Sequence, residues 1–325
     1  MTTLRPFSIA SSGVALAVFA TMAHAVPYSI TATDSVTDFQ SFTVGASVNQ
    51  YNIAQRGVHW STVDEWNMSP PALDQSIVSI AGNNAWRMSN ATTTSGFSNQ
   101  PWSPSVAAAG EPGSFLRNDR GADHTSPLNP PLPNGGATVG QFFFEFDFWS
   151  STGAVQPGLA LNVSPGPRQS SDRLSFLGLS GDSGGGLGIT FFDTNAAGGF
   201  VGPVQVATGL DASKVHHVAM QISFVDGVNG DGSGNDVVNI FVNGVLAHTG
   251  TTWETFYRLP ANGAREVAVD SVMFRASGTA APATSGNGFV FDNVHISAVP
   301  EPASYAMALA GLGLMGFVAR RRRRR

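Results

Sequence analysis

The sequence contains no cysteine, which excludes two stabilising devices at the outset. Neither a disulfide framework nor a thiolate metal site can form, so the fold must be stabilised by its core or by an ion held through oxygen. Lysine is nearly absent as well and occurs once, at Lys214.

Long helical patterns are also missing. No segment between residues 26 and 299 repeats apolar residues every 3.6 positions over three turns, so little helix is expected. Instead, 37 glycines and 19 prolines interrupt short apolar runs. This punctuation is typical of short strands joined by many loops.

The amino terminus has the three parts of a signal peptide. Arg5 gives a short positive region, residues 7–20 (FSIASSGVALAVFA) are apolar, and Ala23 and Ala25 form the small-x-small pattern that signal peptidase cuts after. We therefore expect export, with cleavage after Ala25.

The carboxyl terminus joins an apolar run to a block of arginines. Residues 303–319 carry no charge and would span about 25 Å as a helix, the lower limit for a hydrocarbon core of roughly 30 Å. The six arginines at 320–325 cannot be buried and belong in the cytoplasm under the positive-inside rule. A transmembrane helix is expected; the alternative is a core helix followed by a solvated basic run.

A short motif precedes this run: Val299, Pro300, Glu301 and Pro302. The order of motif, apolar helix and terminal arginines resembles the PEP-CTERM sorting signal of Gram-negative bacteria that make extracellular polysaccharide. The resemblance implies that exosortase, a membrane transpeptidase, recognises the motif and removes the tail. The protein would then be released or attached at the cell surface.

Three segments follow from these ends: a signal peptide 1–25, a body 26–298 and a sorting signal 299–325. The body has the length of one large β-domain. Seven of the 17 basic residues and one of the 22 acidic residues lie in the ends, so 10 and 21 remain and the body carries about −11. This charge argues against nucleic acid or anionic lipid as a partner.

The clearest strand is QFFFEFDFWS, at residues 141–150, which alternates with a period of two. One face is predicted to be core and consists of Phe142, Phe144, Phe146 and Phe148. The opposite face consists of Phe143, Glu145, Asp147 and Trp149.

Many other short segments have strand patterns, and Asn243-Gly244 predicts a type I′ hairpin turn. The further strands are predicted at residues 29–33, 39–44, 85–89, 159–163, 173–179, 187–192, 215–225, 236–242, 245–249, 266–275 and 288–297. More than ten strands predict an all-β, antiparallel, two-sheet sandwich of the jelly-roll type. Residues 214–258 also resemble laminin-G and concanavalin-like sandwiches, in which a strand opening with His-x-Val is followed by one ending in Val-Asn-Gly.

The outer face of this strand has three interpretations. Glu145-x-Asp147 resembles the start of the Glu-x-Asp-x-x-Glu motif of laminarinase-type glycoside hydrolases, but Ser150 stands in place of the second glutamate, so the proton donor is missing. A solvated polar face is the plainest interpretation. A glycan-binding surface is the third, with Phe143 and Trp149 stacking on sugars beside the two carboxylates.

A second candidate is the Gly-rich loop between residues 226 and 236. Its oxygen donors suit Ca²⁺, and the predicted ligands are Asp226, Asn229, Asp231, Ser233, Asn235 and Asp236. The alternative is a solvated hairpin loop.

The histidines show no ligand spacing. His216 and His217 are adjacent and would face opposite ways on a strand, so the histidines are predicted to be packing or surface residues.

Together these patterns favour a non-catalytic structural or adhesive protein of the extracellular matrix, associated with exopolysaccharide. A glycan-binding module is the alternative, and a glycoside hydrolase is favoured least. Exosortase and signal peptidase are the expected partners during export.

Overall fold

A computed structural model describes residues 34–48, 60, 73–96, 100–106, 116–117, 139–167, 172–225, 229–231, 233–263, 267–276 and 278–300. Within these ranges the chain is almost entirely β. The strands are β1 (Asp34–Thr37), β2 (Gln75–Ile80), β3 (Asn83–Met88), β4 (Leu116–Arg117), β5 (Val139–Ser150), β6 (Ala160–Gly166), β7 (Phe176–Ser183), β8 (Gly186–Thr194), β9 (Phe200–Leu210), β10 (His216–Ser223), β11 (Val237–Val242), β12 (Val245–Gly250), β13 (Ala268–Val269), β14 (Ser271–Arg275) and β15 (Phe289–Pro300). One short helix, α1, spans Glu254–Arg258, and two 3₁₀ turns occupy Pro260–Asn262 and Pro282–Thr284.

Two antiparallel sheets form the sandwich. The large sheet has the order β12-β11-β10-β5-β15-β3-β2, with β1 also paired to β15, and the small sheet has the order β14-β6-β7-β8-β9. Strands β4 and β13 form a separate pair. The prediction of an all-β, two-sheet antiparallel body is confirmed, whereas the laminin-G or concanavalin-like subtype stays a prediction.

The core lies between the sheets, and the inner face of β5 is its centre. The four phenylalanines at 142, 144, 146 and 148 are fully buried, as predicted. Phe274 of the small sheet packs against Trp86 and Phe291 of the large sheet, with ring centroids 5.1 and 5.0 Å apart. Because such aromatic pairs contribute about 0.5–1.5 kcal/mol beyond the area they bury, this cluster holds the two sheets together.

The Asn243-Gly244 hairpin is confirmed. These residues join β11 to β12 with φ values of 52° and 79°, the left-handed pair that a type I′ turn requires.

The structure differs from the strand predictions in one predicted strand and in four strands that were not predicted. Residues 39–44 form turns, and Phe39 has a φ of 56° and a fully buried ring that packs on Trp60 and Trp86. Phe39 is therefore buried without being in a strand, whereas Val44 is exposed. Conversely, four strands were not predicted: β1, β2, β4 and β9. Strand β9 is an edge strand that is mostly exposed and lacks the alternation that marks a buried face.

The predictions for the two ends lie mostly outside the described residues. These include Ala23, Ala25, Glu301, Pro302 and the apolar run 303–319. In the part of the chain that is described, no helix is long and apolar enough to cross a membrane. Strand β15 continues through Val299 and Pro300, whose backbones pair with Gln141 and Val139 of β5, so the sheet includes the first two residues of the sorting motif.

Candidate functional site on the outer face of the large sheet

Three neighbouring strands bring charged side chains together on the outer face. Strand β5 lies between β10 and β15, and the register places His217 opposite Asp147 and His295 opposite Glu145. Directly opposite residues of an antiparallel pair share a face, with Cβ atoms about 5 Å apart. Because Ala219 is the β10 residue opposite Glu145, no large side chain separates His217 from Glu145.

His217 bridges the two carboxylates. Its Nδ1 lies 2.9 Å from Oδ1 of Asp147, and its Nε2 lies 3.2 Å from Oε2 of Glu145. An ionised carboxylate only accepts hydrogen bonds, so both ring nitrogens must donate and His217 is an imidazolium. The cation thus separates two carboxylates that would otherwise repel each other.

Strand β15 completes the cluster through a β-bulge between Asp292 and His295. Within the bulge, Asn293 has a φ of 49°, a conformation that asparagine adopts more readily than most residues. Its side-chain amide donates to Oδ2 of Asp147 at 2.8 Å. Beyond the bulge, Nδ1 of His295 lies 3.0 Å from Oε1 of Glu145. A bulge commonly re-aims side chains, and here it directs two of them to the carboxylates of β5. We call Glu145, Asp147, His217, Asn293 and His295 the outer-face cluster.

These contacts shift the ionisation of the cluster. Burial opposes the ionisation of Glu145, but hydrogen bonds from His217 and His295 outweigh it and lower the pKa of this carboxyl to about 2. Burial likewise opposes ionisation of Asp147, and the hydrogen bonds from His217 and Asn293 still lower its pKa. The hydrogen bonds to Asp147 and Glu145 raise the pKa of His217 to about 9. The three groups are therefore all charged at neutral pH.

The cluster remains open to solvent. The side chains of the two histidines and two acids are between 18% and 33% exposed, so a ligand can reach them. Phe143 and Trp149 lie at the two ends of the row on β5, and both are partly exposed. The ring of Phe143 meets that of His295 edge-on, with centroids 5.8 Å apart. Alternate residues of a strand are about 6.6 Å apart, so the row from Phe143 to Trp149 extends over about 20 Å.

Asp292 differs from the other acids. It stands opposite Asp147 in the register, and burial is the main reason why its pKa is raised. Its Oδ2 accepts a hydrogen bond from the side-chain amide of Asn83 at 2.7 Å, and only 6% of the residue is exposed.

The predicted calcium loop is organised largely by its own hydrogen bonds. Oδ1 of Asp231 accepts from the backbone and the hydroxyl of Ser233, and the amide of Asn229 donates to Ser233 and to the carbonyl of Gly234. Asp226 lies outside the described residues. Three of the predicted calcium ligands, Asn229, Asp231 and Ser233, thus form a turn at the surface.

Asp236 lies apart from these three surface residues. It is 1% exposed, and its two oxygens accept from the backbone of Val225 at 3.0 Å and from the hydroxyl of Thr252 at 2.6 Å. The backbone of Asn235 donates to Glu254, at the start of α1. Asp236 and Asn235 therefore anchor the loop to the helix and its flanking residue, while Asp231 is exposed. The structure thus places Asp236 apart from Asn229, Asp231 and Ser233, a difference in burial that sequence spacing cannot show.

Among the described residues, no group of three or more His, Asp or Glu side chains is arranged to hold a metal ion. Calcium binding by the full loop stays a prediction.

The carboxyl-terminal residues of the sequence carry a sorting signal. Residues 298–324 match the PEP-CTERM protein-sorting motif. The chain carries this sorting signal. The prediction from the terminal motif is confirmed, and the signal implies a protein that is exported and sorted by an exosortase.

Comparisons of the whole chain found distant likenesses. No curated protein sequence matches it. Among solved structures, the alginate lyase Aly36B in complex with an alginate tetrasaccharide is 10% identical, with a TM-score of 0.47, and the match covers 83% of this chain and 98% of that chain. The alginate lyase PA1167 from Pseudomonas aeruginosa is 12% identical, with a TM-score of 0.40 and coverage of 68% and 85%. The galectin LEC-6 of Caenorhabditis elegans is 14% identical, with a TM-score of 0.28 and coverage of 49% and 84%. Scores at this level carry no inference about ligand or reaction.

The sequence predicted two of the five residues of the outer-face cluster. It placed Glu145 and Asp147 on the outer face correctly, but it assigned the histidines to packing or surface roles. The available signal was strand parity: His217 has the opposite parity to the buried residues Val218 and Met220, so it shares the outer face of the sheet. What was missing was the pairing of β5 with β10 and β15.

Proposed function

We propose that this protein is exported, held briefly in the membrane by residues 303–319 and processed near Pro300-Glu301-Pro302. It then acts at the cell surface or in the extracellular matrix as a non-catalytic adhesive protein. The outer-face cluster, with Phe143 and Trp149, binds an extracellular polysaccharide. The sorting signal supports the first part of this proposal, and the geometry of the cluster supports the second.

The observation that carries the binding proposal is the row of aromatic and charged side chains on the outer face of β5. A sugar presents apolar faces that stack on aromatic rings and hydroxyls that pair with fixed polar groups. Here Phe143 and Trp149 flank two carboxylates that His217, His295 and Asn293 hold in position. A positioned set of polar groups loses little conformational freedom when a ligand binds.

The same geometry disfavours hydrolysis. Glycosidases need one carboxyl with a raised pKa to protonate the leaving oxygen. The lowered pKa values of Glu145 and Asp147 make both poor acids. Asp292 has a raised pKa, but it is nearly inaccessible behind its contact with Asn83. The cluster therefore supports binding rather than proton transfer to a sugar.

Binding is tested with the full chain in detergent solution and with polysaccharide from the producing cells. Trp149→Ala should abolish binding while leaving the fold intact, because the ring is on the outer face. Phe200→Ala is the matched control, since it removes an exposed aromatic ring from the small sheet. Equal binding by both variants would overturn the placement of the site, and sugar release from the polysaccharide would favour the hydrolase.

Processing is tested by mass spectrometry of extracellular protein from cells with an active sorting enzyme. We expect a carboxyl terminus close to residue 302. Recovery of protein with its intact arginine tail would contradict the proposal.

A further inference from the structure

The charges of the large sheet indicate which glycans the outer face can accept. Its eight strands contain one arginine and no lysine. That arginine, Arg87, is 7% exposed, and its guanidinium pairs with Asp74 at 2.7 Å and with the carbonyl of Asn287. It is therefore committed to a structural ion pair. Recognition of a sugar carboxylate calls for an accessible cation, usually an arginine that binds through two parallel hydrogen bonds. The strands of this sheet offer no accessible arginine or lysine, and their one imidazolium, His217, already pairs with Asp147 and Glu145.

The acidic groups, in contrast, are accessible. Glu145 and Asp147 are partly exposed and ionised, and one imidazolium, His217, lies between them. Asp292 stands next to Asp147 in the register. The outer face is thus negative within a body that already carries about −11.

The hydrogen-bonding capacity of the cluster also favours a positively charged ligand that donates hydrogen bonds. Each carboxylate oxygen of Glu145 and Asp147 accepts one of the hydrogen bonds described above, from His217, His295 or Asn293. A carboxylate has about four lone-pair sites, so these contacts leave further acceptor capacity on both groups. The face therefore suits a ligand that donates hydrogen bonds.

The aromatic rings at the ends of the row provide an independent observation. Phe143 and Trp149 are partly exposed on the same face, on either side of the acids. The face of an aromatic ring attracts a cation as well as the apolar face of a sugar. A protonated amine on a sugar ring would therefore find both partners along the same strand.

We infer that the outer-face cluster binds a polysaccharide of amino sugars that carry free ammonium groups, and that it rejects uronates. This inference rests on the proposed glycan-binding function and specifies its ligand class. An ammonium group has three donors and no acceptor, which matches the acceptors of Glu145 and Asp147. A uronate would bring a like charge to them.

The test compares three oligosaccharides of equal length by calorimetric titration of the full chain in detergent solution. The probes are oligomers of glucosamine, N-acetylglucosamine and mannuronate, at a mildly acidic pH where the sugar amines are protonated. We expect the glucosamine oligomer to bind at least about tenfold more tightly than its acetylated form, the range expected for one charge-assisted hydrogen bond. Added salt should weaken this preference, and the mannuronate oligomer should not bind.

Two variants test whether the outer-face cluster causes the preference for the glucosamine oligomer. Glu145→Gln and Asp147→Asn each remove one negative charge with little change of shape, so either should reduce the preference for the glucosamine oligomer. Asp182→Asn is the control, because it removes an exposed carboxylate from β7 of the small sheet. Thermal melting establishes which variants fold. If Glu145→Gln does not fold, Asp147→Asn provides the test.

The outcomes separate the two proposals. Equal affinity for both amino-sugar oligomers, or binding of the mannuronate oligomer, would overturn the ligand class and leave glycan binding intact. An unchanged preference in folded Glu145→Gln and Asp147→Asn would overturn the role of the cluster. If none of the three probes binds, the ligand class is overturned, and the test with polysaccharide from the producing cells decides whether the cluster binds a glycan at all.

Discussion

The two faces of β5 differ in how far the sequence of this strand alone determines their chemistry. The inner face is four phenylalanines whose burial follows from the period of the strand alone. The outer face acquires its chemistry from β10 and β15, which are distant in sequence and contribute His217, Asn293 and His295. A core face can thus be predicted from one segment, whereas a polar site assembled across strands depends on their register.

The largest expected effect is a difference in the free energy of unfolding between substitutions on the two faces of β5. Phe146→Ala should lower the free energy of unfolding by about 3–5 kcal/mol, because it leaves a cavity between Phe274 and Phe291. Phe143→Ala, three positions away on the outer face, should cost much less, since its ring is partly exposed. Denaturant unfolding of both variants measures the difference, and similar costs would refute the assignment of faces.

The second prediction compares a buried and an exposed aspartate in the loop between residues 226 and 236. Asp236→Ala should cost about 1–3 kcal/mol, because it leaves the backbone N–H of Val225 and the buried hydroxyl of Thr252 without their acceptor. Asp231→Ala should cost about 0.5 kcal/mol or less, since Asp231 is exposed. Thermal melting of the pair tests this. A larger cost for Asp231→Ala would restore it as the residue that organises the loop.

The third prediction concerns pH. The folded state raises the pKa of His217 to about 9 from an ordinary 6.5, so its stabilising contribution is complete below about pH 6.5 and is lost as pH rises through 9. The pKa of Glu145 is lowered to about 2 from 4.5, so its contribution is present above about pH 4.5 and is lost as pH falls towards 2. Stability from this cluster should be greatest between those limits.

Unfolding measured across pH in the wild type and in His217→Gln tests this directly. The variant should lose the decline of stability above pH 6.5 that His217 causes. An identical profile in both proteins would contradict the ion-paired state of the histidine.

These predictions also show what sequence could establish. The Asn243-Gly244 turn and the alternation in β5 were predicted correctly, because both depend on local backbone geometry. The burial of Asp236 could not be predicted, because its partners Val225 and Thr252 lie outside the loop. Asn293 could not be assigned, since its orientation depends on a bulge that exists only when β15 pairs with β5.

The smallest expected effect is that of calcium on the loop. If Ca²⁺ binds the folded state alone, millimolar ion should raise the melting temperature relative to EDTA. The rise should be small, because Asp236 and Asn235 already tie the loop to the region of α1. It should disappear in Asp231→Ala. Equal melting temperatures in both buffers would leave a solvated hairpin loop.

The central claim is that the outer face of β5 holds a built site in which His217 is a cation between Glu145 and Asp147. Nuclear magnetic resonance of ¹⁵N-labelled imidazole rings, followed across pH, measures this state in the full chain. The account predicts that both ring nitrogens of His217 stay protonated through neutral pH and titrate with a pKa of about 9. A single protonated nitrogen at neutral pH, with titration near the ordinary 6.5, would contradict it.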